Sequence, residues 1–233
     1  MQSFKSNILG QTERIPEGRI FTFEDLAFPM DKFAHVAVIL SDLVKEKKLA
    51  RIEKGAYYRP GKSSLGLGLL PVYQDEQLRY LTRKLNGYLT GVYIYNKMSL
   101  TEQVPSVITI AVHDPVRPFR FNKLSVECVK SYVDTPDNEK VLYLTRILDA
   151  IKDLKHIPGT SPQTAYNKIF ALHLSQLSKA ELEKIVSLAL SYPPRVRKIL
   201  GDMLGTGNHT DLKGRLIGTI RPTTRFDLPY KTA

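Results

Sequence analysis

Leu49-Ala50-Arg51-Ile52-Glu53-Lys54-Gly55-Ala56-Tyr57-Tyr58-Arg59 is the stretch on which the fold turns. Residues 49–53 and 56–59 predict two short strands joined across Lys54-Gly55, where glycine supplies the positive φ of a tight turn. Directly upstream, Asp31 is a candidate cap for a helix over about residues 32–47. Phe33, Val36, Ala37, Leu40, Leu43 and Val44 recur on one face of it at helical spacing. Asp31, Ala34, His35, Val38, Asp42 and Lys45 share the opposite face, with Lys32 and Ser41 at its margins.

Further back, Pro29 limits a shorter helix beginning at Thr22, because the residue before proline is pushed out of helical geometry. Glu24 and Asp25 suit the positive end of that helix. Residues 9–14 close a first helix, Pro16-Glu17-Gly18 ends it, and residues 19–21 are briefly extended. Helix, helix, turn, helix and basic hairpin is the order of a winged helix-turn-helix, expected over residues 1–62.

The 233-residue chain carries a net charge of +11, which favours polyanionic partners if the charge is concentrated. It is. From Lys45 to Lys62 seven basic residues face two acidic ones, a local net of +5. The expected ligand is double-stranded DNA. Lys32, His35, Ser41 and Lys45 are candidates on the helix that would read base edges, and Lys48, Arg51, Lys54 and Arg59 are candidates to hold phosphate. Two alternatives remain open. Winged helices also serve as protein-binding modules, and the 32–47 helix also reads as an ordinary amphipathic helix, since Asp42 on its outward face would repel phosphate.

Pro60 to Pro71 is rich in glycine and serine but has no phosphate-loop frame, so it reads as a domain boundary. Residues 72–233 are expected to form the second domain. It would hold a basic amphipathic helix at 75–85, a β-branched strand at 107–112, two further strands at 119–121 and 124–132, and helices at 139–154, 161–177, 178–191 and 194–204. Strands followed by a run of helices argue for α+β, with a small sheet and a helical C-terminal part. Arg195, Arg197, Lys198, Lys213, Arg215, Arg221 and Arg225 make the last segment basic, either as a solvated face or as a second contact surface.

Little in the sequence points to catalysis. HExxH, CxxC, GxSxG and Walker patterns are missing, the five histidines lie far apart, and no metal site or cofactor is expected. His113-Asp114 ends a strand and reads as a turn before it reads as an acid–base pair. A nucleic-acid-modifying enzyme is the third class, but Asp114, Glu127 and Asp134 lack the spacing of a nuclease centre. Cys128, the single cysteine, alternates into a strand and is expected as a packed thiol. No apolar run reaches a membrane-spanning length and no apolar stretch follows the first five residues, so a cytoplasmic protein is expected, without a membrane partner.

With these residues in view, the chain resembles the AbiEi-like family of bacterial antitoxins and transcriptional regulators. The matching stretches are Gly18-Arg19-Ile20-Phe21-Thr22, residues 40–49, Lys54-Gly55-Ala56-Tyr57-Tyr58-Arg59-Pro60, Gly87-Tyr88-Leu89-Thr90-Gly91, Leu100-Thr101-Glu102-Gln103-Val104-Pro105 and Tyr192-Pro193-Pro194-Arg195-Val196-Arg197. The resemblance implies a winged-helix domain that represses its own promoter at inverted repeats. It also implies a C-terminal domain that counteracts a nucleotidyltransferase-like toxin without a stable complex.

Overall fold

In a computed structural model, which describes residues 4–61, 68–136, 138–228 and 230, the chain divides into two mixed α+β units, Met1–Lys84 and Leu85–Ala233. The first begins with α1 (Phe4–Arg14), β1 (Ile20–Thr22) and a 3-10 turn at Phe23–Asp25. The helix expected from Thr22 to about residue 28 is that single turn. Thr22 and Asp25 form a reciprocal capping box around it, with the Thr22 N–H donating to Asp25 at 2.8 Å. The chain leaves helical geometry at Leu26, which is extended, three residues before Pro29. The extended backbone between is held by Gln11 of α1, whose amide bonds both the N–H and the carbonyl of Ala27 at 2.7 and 2.9 Å.

A second 3-10 turn, Met30–Lys32, contains Asp31, so this residue does not cap the next helix. Helix α2 runs Phe33–Lys45, one residue later at its start and two earlier at its end than expected. Lys47 stops it by taking a left-handed backbone, φ 58°, while the N–H groups of Lys48 and Leu49 both donate to Leu43 O at 3.0 and 3.1 Å. Val36, Ile39, Leu40 and Leu43 form its buried stripe and pack with Ile8, Phe21, Leu26, Leu49 and Tyr57. Two assignments shift. Ile39 is buried, whereas Phe33 is 46% exposed and lies against Phe23, with ring centroids 4.5 Å apart.

Strands β2 (Ala50–Glu53) and β3 (Ala56–Tyr58) form the expected hairpin across Lys54-Gly55, with Gly55 at φ 82°. β1 joins it in an antiparallel sheet of order β1-β3-β2, pairing Phe21 with Tyr57. Helix α3 (Gln74–Lys84), expected in the second domain, bonds into the first unit. Its Glu76 carboxylate accepts from the Ile20 N–H at 2.8 Å, beside a two-pronged pair with Arg79. The interdomain stretch expected between Pro60 and Pro71 lies partly outside the described residues, as does Lys62.

In the second unit, β4 (Tyr88–Thr90), β5 (Val107–Val112), β6 (Phe119–Phe121) and β7 (Leu124–Lys130) form a sheet of order β4-β5-β7-β6. β5 and β7 run parallel; both outer pairings are antiparallel. Gly87 leads into β4 where a Cβ would fall 2.4 Å from the Ala111 carbonyl oxygen, so only glycine allows this approach. Cys128 is buried in β7, and burial pushes its thiol up, which disfavours the thiolate.

Helices α4 (Val92–Lys97), α5 (Glu139–Lys152), α6 (Pro162–Lys168), α7 (Lys179–Ala189), α8 (Pro194–Thr206) and α9 (Thr210–Ile217) supply most of the second unit's core. Asn138, Ser161 and Ser178 cap α5, α6 and α7 through side-chain oxygens. The helix expected at 161–177 is interrupted by a π turn at Ile169–His173 and a 3-10 turn at Leu174–Gln176. There the His173 ring is buried and bonded on both sides, to the Tyr143 hydroxyl at 2.7 Å and the Met98 carbonyl at 2.9 Å. Burial lowers its pKa.

Asp149 lies inside this unit and accepts hydrogen bonds from Thr90 Oγ1 at 2.7 Å and Tyr192 Oη at 2.9 Å. Burial raises its pKa against the opposing pull of Lys152. A folded pKa above the unfolded value of about 3.9 means that this group's stabilising contribution is complete below that value and is lost as pH rises through the folded pKa. Relative to an Asp149→Asn variant, the wild-type protein should therefore lose stability between acid and neutral pH. Urea denaturation of both proteins at several pH values checks this, and a pH-independent difference would contradict it.

Candidate nucleic-acid interface

The outward face of α2 is built from small and medium side chains. Ala34, His35, Val38, Ser41 and Lys45 are exposed along it, and Lys32 precedes its first turn. Asp42, expected on the same face, is half-buried and paired with Lys45 at 3.0 Å. The carboxylate is thus answered by a cation from its own helix, at exposed positions where such a pair adds little stability. The His35 ring leans on Phe4 of α1, with centroids 5.2 Å apart.

The remaining candidates separate by what holds them. Lys54 sits exposed at the hairpin turn and forms no ion pair among the described residues. Arg51 is exposed on β2, its Nε donates to the Glu53 carbonyl at 3.1 Å, and it forms no ion pair among the described residues. Lys48 pairs with Glu46 at 2.8 Å; that hydrogen bond lowers the glutamate pKa and raises the lysine pKa. Arg59 differs: it is half-buried, its carbonyl accepts from the Gly18 N–H at 2.8 Å, and its Nε is buried without a hydrogen bond. His35, Ser41 and Lys45 are therefore grouped on α2, with Lys32 in the 3-10 turn before it and 3.7 Å from Asp31, and Arg51 and Lys54 on the hairpin. Lys48 lies between the two groups, and Arg59 at the base of the hairpin.

Three residues that the sequence did not mark hold this surface in place. Glu53, the acidic residue of the hairpin, accepts from the Tyr80 hydroxyl and from Lys84 Nζ at 2.6 Å. Asp25 accepts both prongs of Arg83 at 3.0 and 3.1 Å. Burial alone would raise the Asp25 carboxyl, but the Arg83 and Thr22 hydrogen bonds outweigh it and hold the group below its ordinary range. Tyr80, Arg83 and Lys84 all lie on α3. Their partners are 27 to 58 residues away in the chain, a separation over which no local pattern signals a contact.

Among the described residues there is no group of three or more His, Cys, Asp or Glu able to hold a metal ion, and no helix long and apolar enough to cross a membrane. No family model and no curated protein matches the chain. A solved structure does: the crystal structure of the RV2827C protein from Mycobacterium tuberculosis is similar over 96% of this chain and 84% of that one, with a TM-score of 0.50 and 12% identity. At that identity the likeness bears on the fold alone.

Replacing Tyr80 with Phe removes one donor from Glu53 while keeping the ring packed. A loss of about 1 kcal/mol is expected, since the carboxylate keeps Lys84 and some water. Urea denaturation measures it, and an unchanged midpoint would show that the hairpin is not held through this contact.

Proposed function

We propose that the chain is a DNA-binding transcriptional regulator whose first unit is a winged helix-turn-helix. The observation that carries this is the pairing of an exposed, small-residue face on α2 with a following hairpin whose turn presents Lys54, without an ion pair among the described residues, beside Arg51. Small side chains let a helix approach base edges in the major groove. The hairpin cations supply sequence-independent affinity through phosphate contacts. Asp31, Asp42, Glu46 and Glu53, acidic residues on or beside this surface that would oppose a polyanion, each have a basic partner in the same unit, Asp31 pairing with the candidate Lys32 itself at 3.7 Å.

The resemblance to AbiEi-like proteins extends the reading. The preferred sites would be inverted repeats in the protein's own promoter, and the second unit would counteract a nucleotidyltransferase-like toxin. On this reading the protein binds and does not catalyse. A protein-binding use of the first unit is favoured by one observation, the 83% exposure of Met30 beside the partly exposed Phe33.

Fluorescence anisotropy with the upstream duplex, a random duplex and a salt series separates the two. A regulator should prefer its own duplex, and log affinity should fall steeply with log salt, at about 0.9 per phosphate contact. An Arg51→Ala/Lys54→Ala variant should weaken binding to both duplexes and make the slope shallower by about 2. Weak binding without preference, unchanged in the variant, would overturn the DNA reading.

A further inference from the structure

The second unit contains a groove of about 700 Å³ just beyond the carboxyl ends of its parallel strands. Val112 and Lys130, the last residues of β5 and β7, lie opposite each other in register, and the Ser131 N–H donates to the Val112 carbonyl at 2.7 Å. The chain leaves both strands at one level, and His113 and residues 131–136, which follow them, line the groove. The far wall is α7, which contributes Lys184, Ser187 and Leu188. In open α/β sheets ligands bind outside the carboxyl ends of the parallel strands; here the one parallel pair, β5 and β7, opens onto the groove at that end.

The lining has the chemistry of an oxyanion site. Lys130 and Lys184 come from a strand and a helix far apart in sequence, both are exposed, and neither forms an ion pair among the described residues. Asp134 is the one carboxylate among the lining residues. Lysine ammonium groups and a serine hydroxyl offer several donors to a tetrahedral anion, with lysine acting as a point charge. Beside them, Tyr132 and Leu188 give the groove an apolar portion on which an organic group could rest. Tyr132 is itself backed by the ring of Tyr192, with centroids 5.0 Å apart, which steadies that wall.

We propose that this groove binds a small phosphomonoester of the nucleoside monophosphate type, with Lys130, Lys184 and Ser187 on the phosphate and Tyr132 against the organic part. The proposal is independent of whether the first unit binds DNA.

The test uses the full-length protein, isotopically labelled, titrated with inorganic phosphate, AMP and adenosine at constant ionic strength. Amide signals of His113, Ser131 and Ser187 are followed. Saturable shifts at these residues are expected with AMP and with phosphate, and adenosine should bind at least about tenfold more weakly than AMP. A Lys130→Gln/Lys184→Gln variant should lose about tenfold or more in AMP affinity while its signals elsewhere stay in place, since both positions are exposed. The proposal is overturned if neither phosphate nor AMP shifts the groove signals, if adenosine binds as tightly as AMP, or if the double variant keeps full affinity.

Discussion

The organisation of the first unit depends on where its carboxylates are held. The carboxylate of Glu53, the acidic residue of the hairpin, is turned back onto α3 by Tyr80 and Lys84. Asp25 is turned back in the same way by Arg83, and Glu76 by Arg79 and the backbone of β1. These exposed or partly exposed pairs contribute little stability one by one. Their effect is geometric: the acids are gathered along α3, while Arg51 and Lys54 remain outward. A net charge of +11 therefore says less about the surface than the pairing pattern does.

That pairing also explains why α3 belongs with the first unit. A basic amphipathic helix following a glycine-rich stretch has the local appearance of a new domain's first element. The ion pairs that decide its allegiance reach across 31 residues for Lys84 and 58 for Arg83. Periodicity reports which face of a helix is apolar, never which sheet that face will meet. What was legible had a local cause. The hairpin followed from Gly55, and the α5 to α8 order from capping residues and prolines, whereas the helix expected to reach residue 28 ends at Asp25. Helix α9 was hidden by the opposite circumstance. Gly214 and the surrounding glycines and threonines mask Leu212 and Leu216, whose burial makes the segment helical.

On the candidate interface the sequence located the residue types and missed their states. Lys48 and Arg59 look equivalent to Lys54 in a charge count. Pairing with Glu46 and partial burial distinguish them, and both depend on neighbours set by the end of α2. That end is a backbone event. Left-handed Lys47 turns the chain so that Leu49 drops into the core, 3% exposed, and the hairpin starts immediately. A glycine there would have announced the turn; lysine conceals it.

The two units solve the problem of polar groups in opposite ways. In the first they are ion pairs near the surface, replaceable by water. In the second, Asp149, Tyr192 and Thr90 form a network closed off from solvent, where each donor has a fixed acceptor and an unmatched member would be costly. Such a network ties α5, β4 and the turn before α8 to one geometry. Tyr132 packs on Tyr192 from outside, so the wall of the groove beyond β5 and β7 rests on the same network. The buried acid and the open groove are therefore linked through Tyr192, which donates to Asp149 on one side and packs against Tyr132 on the other.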